Sequence, residues 1–155
     1  MSDGGGIIAE KAAFDALGRQ LLALLAPGDV DVRLDASVLA PVALLQVRAR
    51  NPRGKYKTDE GSFNAPRLNS QVSDAVTALR AAAYREGAGT WFSARIAVTA
   101  DGAASAEYNY DDEPHWDAPV DSVAYVTDFK HFPRDEAHQP DWLRAKLAEG
   151  RAKHT

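Results

Sequence analysis

The dipeptide Asp101-Gly102 joins two stretches in which apolar and polar residues alternate, and no other feature of the chain constrains its fold as tightly. Upstream, Trp91-Phe-Ser-Ala-Arg-Ile-Ala-Val-Thr99 alternates in character. Downstream, Ala104, Ala106, Tyr108 and Tyr110 fall on one side, with Ser105, Glu107 and Asn109 on the other. A tight turn between paired strands needs positive φ, which glycine adopts freely. Asp-Gly between two period-2 runs therefore predicts a β-hairpin.

The rest of the chain supplies partners for that hairpin. After an expected unordered tail at residues 1–6, Ile7, Phe14, Leu17, Leu21, Leu24 and Leu25 recur at helical spacing. They predict an amphipathic helix over 7–26, closed by Pro27-Gly28. Val30, Val32 and Leu34 alternate with Asp31, Arg33 and Asp35, as a half-buried strand requires, and a second strand is expected over 42–50. Residues 51–61 are polar and basic, and are expected to form an exposed, mobile hairpin or loop. Leu68, Val72, Ala75, Val76, Leu79 and Ala83 mark a second helix over 66–86, stopped by Gly87-Ala-Gly89. A fifth strand is expected over 123–129, and a final helix from an Asp135 cap through Gly150, with Trp142, Leu143 and Leu147 inward. The fold class that follows is α+β: an antiparallel sheet of four to five strands with helices packed on one face, in one domain spanning 1–155.

Composition excludes several functions. The 155 residues contain no cysteine, which removes disulfide frameworks, thiolate nucleophiles and zinc-thiolate sites. No apolar run reaches the roughly 18–20 residues that span a bilayer, and the N-terminus lacks a basic signal region. A soluble cytoplasmic protein is expected, with no membrane partner. Net charge is only −4, but its distribution is uneven. Residues 101–142 hold 11 acidic against 2 basic residues, a balance of −9, and residues 48–67 hold 6 basic against 2 acidic, a balance of +4. Single-sign patches steer oppositely charged partners. The acidic one is interleaved with Tyr108, Tyr110, His115 and Trp116, a mixture more typical of interfaces than of plain solvated faces.

Candidate chemistry is sparse. Asp111, Asp112, Glu113 and His115 could ligate a cation, but the spacing and central glycine of a calcium loop are missing and Pro114 stiffens the middle, so no metal or cofactor is expected. His131, Asp135 and His138 could form an acid-base cluster, yet a helix cap and an exposed histidine explain them equally well. Ser93 and Ser105 lie in alternating strands, away from any nucleophile context, and Gly87-Ala-Gly89 follows a helix where a phosphate loop would precede one. The basic run Arg48, Arg50, Arg53, Lys55 and Lys57, with Tyr56 inside it, could grip nucleic acid. Overall acidity argues for a solvated loop, so no nucleic-acid partner is expected. Trp91 is expected in the core and Trp142 sealing a helix against the sheet, while Trp116, between Pro114 and Pro119, suits an exposed anchor.

Trp91-Phe92, Ile96-Ala-Val98, Asp101-Gly102 and Tyr108-Asn-Tyr110-Asp111, followed by Tyr125-Val-Thr-Asp128, Phe132-Pro-Arg134 and Pro140-Asp-Trp-Leu143, resemble the YezG-type family of bacterial antitoxin (immunity) proteins. The resemblance implies a small, non-catalytic cytoplasmic protein that binds and neutralises a cognate polymorphic toxin, often a nuclease; a monomer in a 1:1 complex is expected. The expected contact surface is Tyr108, Tyr110, Asp111, Asp112, Glu113, His115 and Trp116, with Asp121 and Asp128 at its margin. The competing expectation is a ligand-binding or enzymatic α+β domain whose cleft gathers His115, His131 and nearby carboxylates.

Overall fold

The computed structural model describes residues 3–153. Its elements are α1 (Asp3–Leu22), β1 (Asp31–Leu39), β2 (Val42–Arg50), β3 (Tyr56–Thr58), β4 (Gly61–Asn64), α2 (Ser70–Ala82), β5 (Ser93–Thr99), β6 (Ala104–Asn109), α3 (Val123–His131) and α4 (Asp141–Ala152). The strands form one sheet in the order β3-β4-β2-β1-β5-β6, antiparallel throughout. The α+β architecture is as expected, with six strands in place of four to five.

Alternation builds the principal core. Val32, Leu34, Ala36 and Val38 of β1 project to one face with Val47 of β2 and Ala94, Ile96 and Val98 of β5. Leu17 and Leu21 of α1, Val72, Val76 and Leu79 of α2, and Trp91 close over them. Each of the valine, leucine and isoleucine side chains contributes about 1.5–3 kcal/mol by leaving water, and α1 and α2 cover this face of the sheet. A second cluster, Leu39, Phe92, Tyr125, Val126, Leu143 and Leu147, lies where β1 ends and β5 begins, beneath α3 and α4. The Asp101-Gly102 hairpin forms as expected, with Gly102 at φ 94°.

Two expectations need correction, at residues 123–129 and at Asp135. Residues 123–129 are helical. Tyr125 and Val126 are both buried, and neighbours in a strand point to opposite faces, whereas in a helix the pair and Phe129 share one face toward Leu143 and Leu147. Residues 51–64 form the expected exposed hairpin, held by side-chain bonds: the Asn51 side-chain amide donates to Asp29 Oδ1 at 2.9 Å, its Oδ1 accepts from Arg53 N at 2.9 Å, and Lys55 N donates to Asn64 Oδ1 at 2.9 Å. Asp135 opens only a 3-10 turn, Glu136–His138, without a capping bond from its side chain; extended backbone at Pro140 then starts α4.

At the N-terminus the helical backbone reaches back to Asp3, into the expected tail. Met1 and Ser2 lie outside the described residues.

Candidate functional site

The sheet face opposite α1 and α2 is polar and exposed. Register sets its rows: Ser37, Leu44, Ser93 and Asn109 align across four strands, followed by Asp35, Gln46, Arg95 and Glu107, then by Arg33, Arg48, Ala97 and Ser105. At the β6 end these rows and the following loop enclose an open cleft of about 480 Å³, lined by Asp35, Arg95, Glu107, Asn109, His115, Trp116 and Asp117 among others. Arg95 Nε donates to Asp35 Oδ1 at 2.8 Å, and this bond with the adjacent carboxylate charge raises the guanidinium pKa. Glu107, Asp112, His115 and Asp117 have no ion pair among the described residues, so the cleft and its rim carry surplus negative charge.

The loop bearing that charge is held carbonyl by carbonyl. Arg134 Nη2 donates to Tyr110 O at 2.6 Å, Trp142 Nε1 to Asp111 O at 2.7 Å, and Asn109 Nδ2 to Asp112 O at 2.8 Å. Asp112 N returns a bond to Asn109 Oδ1 at 2.8 Å, completing a local side-chain turn. Arg134 is buried. It also donates to Thr90 O at 2.9 Å and His138 O at 3.0 Å, and its guanidinium lies 4.8 Å from the Phe92 ring centroid. Burial pulls the Arg134 pKa below its usual value, while the Asp111 carboxylate acts in the opposite direction. Gly89 makes room for this side chain: at φ 84°, a Cβ there would approach Arg134 Nε to 2.4 Å. With their backbone fixed, the Asp111, Asp112 and Glu113 side chains project into solvent.

The expected contact residues divide among several environments. Asp111, Asp112, Glu113 and His115 are exposed. Trp116 is half-buried: it lines the cleft, packs on the second core and donates its indole N–H to Tyr125 Oη at 3.1 Å, so it is an anchored wall residue instead of a free anchor. Tyr108 and Tyr110 pack on the principal core, Tyr108 beside Trp91, on the face turned toward α1. Burial pushes the Tyr108 hydroxyl up to about 12 and raises Tyr110 as well. Period-2 parity alone separates these tyrosines from Glu107 and Asn109, so the acidic-aromatic patch is two surfaces.

Asp128 leaves the contact surface altogether. It is 4 % exposed and accepts from Arg80 Nη2 at 2.9 Å and Ala40 N at 2.7 Å. Arg80 Nε in turn donates to Trp91 O at 2.7 Å. A buried ion pair in which each guanidinium nitrogen is bonded ties α2, α3 and the β1–β2 turn together. Asp121, at the margin, is exposed and sits 3.3 Å from Lys153 Nζ.

Sequence reasoning missed Asp35, Arg95, Glu107 and Asp117 as cleft residues. The first three were findable, because strand parity puts them on the open face. Asp117 needed the course of the loop. His115 and His131 line separate clefts, so no single site gathers them. Among the described residues no three His, Asp or Glu side chains stand close enough to hold a metal ion, and no helix is long and apolar enough to cross a membrane. No protein-family model matches the chain, and no curated protein matches it significantly.

Proposed function

We propose that this protein is a non-catalytic, immunity-type inhibitor that binds a toxin domain and occludes its basic cleft with the acidic end of the open sheet face. The observation that carries this reading is the run of three consecutive carbonyls, Tyr110 to Asp112, each bound by a different side chain beneath a row of outward carboxylates. A charged loop fixed before encounter loses little conformational freedom on binding, and its single-sign field accelerates association with a cation-lined partner. Asp111, Asp112, Glu113, His115 and Asp117 form the contact, with Glu107 on the cleft floor and Trp116 as its wall. The resemblance of residues 91–143 to YezG-type immunity proteins points the same way, and a toxin acting on nucleic acid or a nucleotide is the partner whose active cleft best matches this charge.

Co-expression with the product of the adjacent upstream gene, read by pull-down and by growth, tests the reading. Rescue of growth with a stable 1:1 complex is the expected result. Absence of both moves the assignment to the competing one, a small-ligand site in the 480 Å³ cleft centred on His115, Glu107 and Asp117.

A further inference from the structure

The two edges of the sheet are finished differently. β3 is three residues long and carries Lys57, and a short strand bearing a lysine is a poor template for another chain. β6 closes the opposite edge and is paired on one side only, with β5. Its residues 104–108, Ala-Ser-Ala-Glu-Tyr, include no proline and no lysine, and their register with β5 is unbroken. Bonding along an antiparallel ladder alternates from residue to residue. Thr99 N donates to Ala103 O at 2.9 Å, so Ser105, Glu107 and Asn109 turn their backbone groups toward β5. Ala104, Ala106 and Tyr108 turn theirs outward, leaving an open row of donors and acceptors along the edge.

The two sides of that row differ in chemistry. On the helical side, the small side chains of Ala104 and Ala106 leave two open clefts between α1 and β6. One, of about 370 Å³, is lined by Ile7, Phe14, Ala106 and Tyr108, with Glu10 and Lys11 at its rim. The next, of about 250 Å³, is lined by Phe14, Leu22, Val98 and Ala104 among others. Same-side residues of a strand recur every second position, and Ala104 and Ala106 stand at that interval, one to each cleft. Ile7 is 59 % exposed, an apolar side chain left largely to solvent. On the open side stand Glu107 and Asp112, neither in an ion pair among the described residues.

We propose that β6 accepts an added strand from the partner protein. Its apolar residues would seat in the two clefts, alternating with lysine or arginine beside Glu107 and Asp112. Main-chain bonds to an open edge supply affinity, and the alternate side chains supply selection. Opposite charges on neighbouring strands stabilise the pair and like charges oppose it, so a basic segment fits. A second copy of this chain, paired antiparallel over 104–108, would instead set its Asp111 and Asp112 beside Asp101. That the segment belongs to a toxin domain rests on the function proposed above; the chemistry of the edge does not.

The probe is an acetylated, amidated heptapeptide alternating lysine and valine, titrated into the full chain and followed by backbone amide exchange. Saturable binding is expected, with exchange slowed at Ala104, Ala106 and Tyr108 and unchanged at Ser105 and Glu107. A peptide with the same residues but its valines in one block should bind at least tenfold more weakly, as should one with glutamate in place of lysine. Ala106→Pro deletes the central outward N–H at an edge position where proline is tolerated, and should cost at least tenfold in affinity. Ile7→Lys, on the exposed side of α1, should cost severalfold. An unchanged circular dichroism spectrum is the folding control for both variants. No saturation at millimolar peptide, equal binding of the block peptide, or slowed exchange confined to 111–117 overturns the proposal. So does protection of Ala104, Ala106 and Tyr108 that grows with concentration in the free chain, which assigns the edge to a second copy. With the toxin domain, a complex undiminished by Ala106→Pro overturns strand addition and leaves the acidic contact standing. Peptide binding at β6 with no toxin complex sustains the edge assignment and overturns the inhibitor function alone.

Discussion

The two ends of the open sheet face are built by opposite means. At the β6 end, exposed carboxylates stand on a loop whose carbonyls are tied to buried Arg134, to Trp142 and to Asn109. Arg80 and Asp128 lock the adjoining helices. At the β3–β4 end, arginines stand on the strands themselves and a short hairpin supplies an exposed aromatic platform. Charge of either sign is displayed on rigid backbone, but only the acidic end depends on buried cations for its shape. Damage to those cations should therefore spread to one end and spare the other.

The largest effect is expected at Asp128. Asp128→Ala leaves Arg80 buried without its counter-ion and should cost about 3–5 kcal/mol in urea denaturation. Amide exchange should quicken in α3, α4 and the β1–β2 turn before it does in the β3–β4 hairpin. A loss under 1 kcal/mol would show that the pair is not a lock. Next is Arg134→Met, which keeps stem volume but strips donors from Thr90, Tyr110 and His138. About 2–3 kcal/mol is expected from buried carbonyls left unpaired, with faster exchange across 109–113; uniform exchange changes would break the contrast between the two ends. Trp116→Phe removes one indole donor from Tyr125 and should cost about 1 kcal/mol while leaving the cleft wall in place.

The smallest effect is alkaline. Burial raises the hydroxyls of Tyr108, Tyr110 and Tyr125, the first to about 12. A folded pKa above the unfolded value of about 10 means that their contribution is whole below pH 10 and lost as pH rises toward 12. Absorbance at 295 nm should show three of the five tyrosines ionising late, with stability falling over the same window. Ordinary titration of all five would contradict the packing described for this end.

Much of the fold was legible in the sequence because it rests on periodicity. β1, β2, β5 and β6 alternate cleanly, and the α2 stripe is regular. The failures have physical causes. Val123-Ala-Tyr-Val-Thr127 is rich in strand-forming residues, yet Tyr125 and Val126 must bury together against α4, and packing overrode propensity. In the site, sequence proximity made one patch of Tyr108 through Trp116, whereas strand parity divides it between two faces. Asp128 looked like part of an acidic surface because its partner, Arg80, lies 48 residues away. No local pattern announces a pair like that.

In the proposed function, the acidic end of the open face makes the contact with the toxin domain. The most direct test is the association rate with the cognate toxin domain, measured at low and physiological salt for Asp112→Lys/Glu113→Lys/Asp117→Lys. These exposed changes should each move stability by no more than about 0.5 kcal/mol. Association slowed by tenfold or more at low salt is expected, the gap narrowing as salt rises, with little change for Arg33→Gln/Arg48→Gln. Unchanged association in the acidic variant, at either salt, would contradict it.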